Sequence, residues 1–503
     1  MADTQTTGAG AIADAGPHPD PHHGKRWLIL AVIGLAQLMI VLDVSIVNIA
    51  LPDAQKSLAF SNGDRQWIVT AYSLAFGSLL LLFGRISDLV GRRVMFLVGL
   101  VLFAAASALG GASQNFDMLV TARALQGVAG AMLAPAALSL LSTTFTEAKE
   151  RATAFAVFGA IAGSGAAIGL LLGGVLTEYL NWRWTLFVNV AISVLAIAGA
   201  AALIPRQQKS ESRPRLDIPG TVLVSAGLFG IVYGFSNAES HAWSAPGTWG
   251  FLAVGALLII AFAWWQTRAS HPLLPLRVIL ERNRGGSFLA MFITGIGMFG
   301  VFLFLTYYLQ EILRYSPVMT GVAFLPLVGA LMITATVSTT QLYPRFGAKI
   351  LVFAGMAIGA GGMAWLTGIT TTSTYGADIV GPLLLIGFGK GAIFAPAMNA
   401  ATSGIEERDA GVASAMVNTS QQIGGSIGTA LLNSLATSAL TAYLVGKNAK
   451  SQLVQADAAI HSYTVAFWWA AGIFAFGAIV CGLILKPGKP DPADPNADPV
   501  VHA

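Results

Sequence analysis

Apolar runs of about 20 residues alternate with short polar breaks along most of the chain, and that is the length at which an α-helix crosses a bilayer core. Read this way, the pattern predicts fourteen spans. Six come first, at 27–51, 67–84, 94–112, 117–141, 152–176 and 185–204. Two follow at 218–236 and 249–267, and six more at 286–308, 319–342, 350–369, 378–400, 410–437 and 464–485. The ends break the pattern. Residues 1–26 are rich in Ala, Gly, Thr, Pro and His with no apolar core, which predicts a disordered tail rather than a signal peptide. His18, His22 and His23 would bind a metal only weakly there. Residues 486–503 are Pro- and Asp-rich and equally tail-like.

The chain also repeats itself. Ala134-Pro135-Ala136 returns as Ala395-Pro396-Ala397, an offset of 261 residues. Gly165 and Gly169 return as Gly424 and Gly428, offset by 259, and Gly91 and Arg93 as Gly347 and Lys349, offset by 256. Three near-equal offsets imply two related six-helix halves. The expected organisation is a six-helix bundle over 27–204, a linker with two inserted transmembrane helices over 205–285, and a second six-helix bundle over 286–485. Halves that meet around a midplane site are the architecture of secondary transporters.

Composition agrees with an all-α membrane protein. Of 503 residues, 55% are hydrophobic and only 10% charged, where a soluble domain carries about a quarter charged. Cys481, the single cysteine, lies in an apolar run, so neither a disulfide framework nor a cysteine metal site is available. An even number of spans puts both tails on one side. Of the 28 basic residues, 20 then fall on the tail side and six, among them Arg65, in the opposite loops. That bias predicts cytoplasmic tails, and it accounts for the net charge of +4 with no nucleic-acid partner.

One polar break stands apart. Gly84-Arg85-Ile86-Ser87-Asp88-Leu89-Val90-Gly91-Arg92-Arg93 packs four charges and two glycines into ten residues, which predicts a tight charged hairpin at a membrane face. Asp88 and Arg92, four apart, are spaced to pair with each other or with helix ends. The stretch resembles the loop between spans 2 and 3 of major facilitator transporters. The likeness extends from about residue 27 to 485. Leu42-Asp43-Val44-Ser45-Ile46-Val47-Asn48-Ile49-Ala50-Leu51-Pro52 is similar to span 1 of drug:proton antiporters with fourteen spans, and Arg123 followed by Gln126-Gly127 to their span 4. Trp182-Arg183-Trp184 with Phe187 and Asn189 resembles the start of span 6, although Ala191 stands where the family has a proline.

Asp43 lies about 16 residues into its span, hence roughly 24 Å from the near face. A carboxylate at that depth is expensive unless paired, protonated or in a wet cavity. It reads either as a proton-binding group that loads and releases during transport or as half of a static ion pair. Arg123 lies at a similar depth, so the two are geometrically able to meet. The resemblance implies that Asp43 is functional and that Arg123 assists proton transfer. Gly165, Gly169 and Gly173, with Gly174 beside them, form a smooth stripe for close helix approach. The stripe resembles the family's antiporter motif, with Leu170 in place of its proline.

Lys390 falls near mid-bilayer, where snorkelling does not easily reach water. Either it adds positive charge to a wet cavity and disfavours lipophilic cations, or it pairs with Asp43, Glu311 or Asp378. Tyr72, Gln126, Met298, Phe302, Phe304, Tyr307, Asn418 and Gln421 are the other candidates to line a substrate cavity, although such side chains also face lipid or neighbouring helices.

The resemblance implies the major facilitator fold and proton-coupled export of hydrophobic or amphipathic molecules by alternating access. It also implies a multi-pass cell-membrane location and a monomer, with Gly84, Asp88, Gly91, Arg92 and Arg93 latching the cytoplasmic face. A dedicated exporter of one natural product or lipid is the alternative. No cofactor is expected. A membrane-embedded enzyme would need a nucleophile or acid–base cluster, and the expected spans contain no histidine. A receptor would usually carry a sizeable soluble domain.

Overall fold

The computed structural model describes residues 24–61, 63–145, 147–205, 217–241, 243–270, 272–402, 407–448 and 451–488. Residues 1–23, with His18, His22 and His23, and residues 489–503 lie outside the described ones, as do His271 and the side chain of Asp88. The described residues form helices and connecting turns, with no strand.

The first six helices are α1 (Arg26–Leu58), α2 (Arg65–Val90), α3 (Arg92–Gly111), α4 (Phe116–Thr144), α5 (Ala148–Tyr179) and α6 (Trp184–Leu203). A hairpin of α7 (Ile218–His241) and α8 (Pro246–Gln266) follows, then the short α9 (Leu276–Leu280). The second set is α10 (Arg282–Tyr307), α11 (Pro317–Ala323), α12 (Leu325–Val337), α13 (Tyr343–Leu366), α14 (Val380–Thr402), α15 (Glu407–Leu444) and α16 (Gln452–Ile484). Single π-helical turns extend α10 over Tyr308–Ile312 and α12 over Ser338–Leu342, and precede α14 over Tyr375–Ile379. Eleven helical stretches among the described residues are long and apolar enough to cross a membrane. One of them, Pro317–Leu366, runs for 50 residues and contains the non-helical Gly347.

The two sets pack alike. In the first, α1 lies against α5 and α6, α2 against α4, and α3 against α4 and α6. In the second, α10 lies against α15 and α16, α12 against α14, and α13 against α14 and α16. Across the middle, α2 packs on α15 and α5 on α11, while α7 touches both α2 and α15. The glycine stripe makes one of these contacts possible. A Cβ on Gly169 would stand 2.8 Å from Ser45 Cβ and 3.0 Å from the Leu42 carbonyl, so α5 rests directly on the α1 backbone. Gly165 and Gly173 meet Val41 and Ile46 of α1, and Gly174 meets Val318 of α11. In a lipid solvent, close van der Waals approach of this kind holds helices together where apolar burial cannot.

Three expectations need correcting. The charged stretch at 84–93 is not a loop that follows a span ending at residue 84. Residues up to Val90 stay helical, because only Gly91 supplies the backbone turn, at φ 102°. Gly347, its counterpart in the repeat, makes the same kind of break at φ 71°. Arg65 is not a loop residue but the first residue of α2, and only 5% of it is exposed. His461, expected in a loop, sits within α16, which begins some turns earlier than the apolar run because its polar start remains helical, and it faces Tyr443 with ring centroids 5.1 Å apart.

The inserted hairpin is fastened by Asp217, just ahead of α7. Its carboxylate accepts hydrogen bonds from the Gly220 amide (2.9 Å), Trp265 Nε1 (2.7 Å), Gln266 Nε2 (2.7 Å) and the Leu273 amide (3.3 Å). Burial alone would raise this carboxyl. The donors from Gln266, Trp265 and the two amides outweigh it and hold Asp217 below its ordinary 3.8. A depressed folded-state value contributes stability above the unfolded-state pKa that is lost as pH falls through the folded one. Thermal unfolding of purified protein should therefore show an acid limb starting below about pH 4, and Asp217→Asn should flatten that limb while lowering the melting temperature at neutral pH. Gly169→Val should overpack the α1–α5 contact and cost about 1–3 kcal/mol in the same assay.

Candidate functional site

Asp43 sits midway along α1 and is completely buried. The polar residues near it on α1 look after themselves: Ser45 Oγ donates to the Val41 carbonyl and Asn48 Nδ2 to the Val44 carbonyl, each at 3.0 Å. Asp43 is instead satisfied from other helices. Asn115 caps α4 by accepting from the Met118 amide at 2.9 Å, with Asp117 in the first turn favouring the helix dipole. Two turns further on, Arg123 and Gln126 lie three residues apart, on one face of α4, and that face is turned to α1.

Arg123 Nη1 donates to Asp43 Oδ2 at 2.5 Å, and Gln126 Nε2 donates to Asp43 Oδ1 at 3.0 Å. Asn189 Nδ2, from α6, donates to Asp43 Oδ1 at 2.7 Å. Arg123 Nη1 also donates to Gln126 Oε1 (2.9 Å), and Arg123 Nε to the Ile68 carbonyl of α2 (3.0 Å). Gln126 Nε2 reaches Ser107 Oγ of α3 at 2.8 Å. The guanidinium lies over the Tyr72 ring, 4.5 Å from its centroid, and Tyr72 in turn stacks on Phe76. Five helices thus enclose one negative and one positive charge, both nearly free of solvent. Such a pair holds only when its remaining donors and acceptors are met, as most of them are here. Chemically, the site can hold a proton at Asp43 or exclude it, and a change in that occupancy would unbalance every partner.

Sequence reasoning placed Asp43 and Arg123 at compatible depths, and the structure brings them together; Gln126, expected to line a substrate cavity, is instead fully buried and bonded to both. The structure puts Tyr72 beneath Arg123 rather than in an open cavity. Asn189 and Ser107 were missed as partners of this cluster. Asn189 had been noted only within the span 6 resemblance, and an asparagine inside an otherwise apolar run was the signal available.

Other candidates lie elsewhere. Phe304 and Tyr307 are fully buried at the end of α10, where Arg65 sits 5.6 Å and 4.3 Å from their ring centroids. Tyr307 donates to Gln55 Oε1 of α1 (2.5 Å), Gln310 Nε2 to the Ile49 carbonyl (3.0 Å), Arg65 Nε to Asn433 Oδ1 (3.4 Å) and the Val318 amide to Glu178 (3.0 Å). These bonds tie the two helix sets together at the face where α1 ends. Met298 is buried in the core of the second set, while Phe302 is half-buried against Phe324. Asn418 and Gln421 are half-buried on α15. Lys390 makes no hydrogen bond or ion pair among the described residues, whereas Asp43 is committed to Arg123, Gln126 and Asn189. At the 84–93 stretch, Gly84 is helical, Gly91 makes the turn, Arg92 opens α3, and Arg93 Nη2 donates to the Ala201 carbonyl at 2.8 Å.

The fold and the buried site define a membrane transporter class, and comparison with known proteins agrees. Residues 33–429 match the model of the Major Facilitator Superfamily, and the chain belongs to that family. It is 47% identical over 469 residues to the puromycin resistance protein of Streptomyces alboniger, covering 93% of this chain and 92% of that protein. It is 38% identical over 399 residues to the cephamycin export protein of Amycolatopsis lactamdurans, covering 79% and 82%. Its fold is similar to the inward-facing crystal structure of a bacterial homologue of the human lysosomal transporter Spinster, with a TM-score of 0.63, 16% identity and coverage of 93% and 98%.

Removing one member of a buried pair strands the other. Arg123→Met should cost about 3–5 kcal/mol at neutral pH, measured by thermal unfolding, and less on acidification, since protonation removes the stranded charge. The double variant with Asp43→Asn should recover part of that loss. Equal losses in the single and double variants would show that the pair is not coupled.

Proposed function

We propose that this chain is a proton-coupled exporter of hydrophobic or amphipathic small molecules, of the drug:proton antiporter type with fourteen spans. The observation that carries the proposal is Asp43: a fully buried carboxylate in mid-span, held by Arg123 and two amides. Nothing about packing requires an acid there, and a well-packed apolar cluster would be at least as stable. A carboxylate that exchanges a proton as the two bundles rock gives it a purpose.

Fourteen spans follow from the eleven apolar stretches when Pro317–Leu366 is read as two crossings divided at Gly347 and when α2 and α5, packed among the others, are counted as well. The division into bundles at 27–204 and 286–485, with inserted helices between, is supported by the matched packing of the two helix sets. With the tails in the cytoplasm, the contacts of Arg65, Tyr307, Gln55, Gln310 and Glu178 seal the outer side, and the glycine turns at 91 and 347 sit on the inner side. Gly84, Asp88, Gly91, Arg92 and Arg93 are then the inner latch. Export direction is supported by the relatives' printed names, although Leu170 replaces the antiporter motif's proline.

Lys390 bears on the cargo. It lies on α14 between Gly389, packed on α13, and Gly391, packed on α12, and two residues from Phe388, which is exposed towards the lipid. Successive helical residues turn about 100°, so Lys390 points away from Phe388, into the protein. An ammonium there with no partner among the described residues favours neutral or anionic cargo over lipophilic cations. A second reading, a dedicated exporter, is favoured by the names of both relatives, each of which concerns a single antibiotic.

Transport into sealed vesicles under an imposed pH gradient, with cationic, neutral and anionic dyes side by side, tests the proposal. The expected result is gradient-driven movement of neutral and anionic dyes that Asp43→Asn abolishes, and a shift in favour of cationic dyes with Lys390→Met. Undiminished transport by Asp43→Asn would remove the coupling role, and preferential movement of cations by the native chain would remove the reading of Lys390.

A further inference from the structure

We infer that Asn189 is the positioning residue that registers the protonation state of Asp43, by turning its side-chain amide. This rests on the proton-coupled reading and goes beyond it. Among the groups hydrogen-bonded around Asp43, three acceptors are already engaged, while the buried Tyr72 hydroxyl, without a partner among the described residues, lies beside Gly130 of α4. Gln126 Oε1 accepts from Arg123 Nη1, the Ile68 carbonyl from Arg123 Nε, and Ser107 Oγ from Gln126 Nε2. Gln126 is pinned at both ends of its amide and cannot reverse without breaking all its bonds. Asn189 differs. Its Nδ2 donates to Asp43 Oδ1, while its Oδ1 is buried and has no hydrogen-bond partner among the described residues.

An ionised carboxylate needs donors, and a protonated one must itself donate. With Asp43 ionised, Asn189 has to present its NH₂, since its carbonyl oxygen would face a negative charge. Once Asp43 takes up a proton, the new O–H needs an acceptor, and the free Oδ1 of Asn189 supplies it after a half-turn about the terminal torsion of the side chain. That torsion is broad and roughly two-fold, so both orientations are accessible. In each orientation one end of the amide bonds Asp43 and the other has no partner. The two states are therefore matched, and the proton alone selects between them. No bond forms or breaks apart from hydrogen bonds, and the proton stays on Asp43.

The electrostatic surroundings favour this arrangement. Charged or titratable groups facing Asp43 among the described residues are Arg123 from α4 and Tyr72 from α2. From α3 comes the neutral Ser107 and from α6 the neutral Asn189, while the α5 glycines at 165, 169 and 173 meet Val41, Leu42, Ser45 and Ile46 of α1. Asn189 is also held in place from outside. The start of α6 is anchored by Arg183 Nη2 donating to the Ser113 carbonyl (2.8 Å) and by Thr185 Oγ1 donating to the Trp182 carbonyl (2.6 Å). The helix is fixed and the amide is the part free to turn.

Infrared pH-difference spectroscopy of the purified full chain tests this without any transported compound. In the native protein, a protonated-carboxyl band that disappears in Asp43→Asn reports the titration of Asp43. In Asn189→Leu, similar in size but unable to donate or accept, that band should move to the frequency of a carboxyl lacking its acceptor. The titration midpoint should rise by about one pH unit, because a donor to the charged form matters more than an acceptor for the neutral one. Asn189→Thr, whose hydroxyl rotates to donate or accept, should restore both. An unchanged band and midpoint in Asn189→Leu, with the native band present, would overturn the role of Asn189 and leave the coupling proposal standing. Absence of any band that Asp43→Asn removes would overturn both. Parallel loss of thermal stability in the Leu and Thr variants, without movement of the band, would mark Asn189 as packing alone and overturn the inference.

Discussion

A carboxylate and a guanidinium in hydrogen-bond contact at the middle of a membrane domain set the terms for the rest of this protein. Out of water, either charge alone would be prohibitive, and together they are tolerable only if the lone pairs and protons left over also find partners. Asp43 and Arg123 meet that condition through Gln126, Asn189, the Ile68 carbonyl and the face of Tyr72. The requirement draws α1, α2, α4 and α6 into one fixed arrangement, with Ser107 of α3 completing it. Altering the charge on Asp43 therefore acts on all of these helices at once, and a proton is the smallest agent that can do so.

Around that centre, packing relies on small side chains. Lipid gives helices no apolar reason to associate, so the contact between α1 and α5 depends on how closely two backbones can come. Gly165, Gly169 and Gly173 remove the obstacle, and Gly424 and Gly428 do the same for α15 against Phe292 and Ile296 of α10. The stripe thus holds in place the helix that carries Asp43. Leu170, where the antiporter motif has proline, leaves α5 unbroken by a proline at that turn. Its carbonyl approaches Gly321 of α11, so this helix joins the two sets as well as packing within its own.

The hydrogen-bonded and cation–π contacts between the sets gather at one end, while α2 and α15 also pack along their lengths. Arg65 belongs to the first set yet lies in an aromatic enclosure of the second, and Gln55, Ile49 and Glu178 reach across beside it. Cation–π and hydrogen-bonded contacts of this sort are local and reversible, in contrast to an apolar interface that separates only at great cost. At the opposite end, two of the connections, at Gly91 and Gly347, are single glycines with positive φ, which let long helices reverse direction with almost no loop between them.

Much of this was legible in the amino-acid order. Apolar runs of span length, the near-constant offset between repeated motifs, and the depth of Asp43 and Arg123 along their helices depend only on local composition and helical rise. Those features specified an all-helical membrane protein in two related halves, with Asp43 and Arg123 at matching depths in two spans of the first. Tertiary structure decided which faces meet. Period and depth carry no information about rotation around a neighbouring helix, so Asn189 as a ligand of Asp43, Tyr72 beneath Arg123 and Arg65 among the aromatics of α10 became visible only in three dimensions. Helix ends also escaped local reading: hydrogen bonding carries α2 to Val90 and α16 back to Gln452, through polar residues that hydrophobicity alone assigns to loops. What a residue is follows from the chain, but whom it faces follows from the packing of all the helices together.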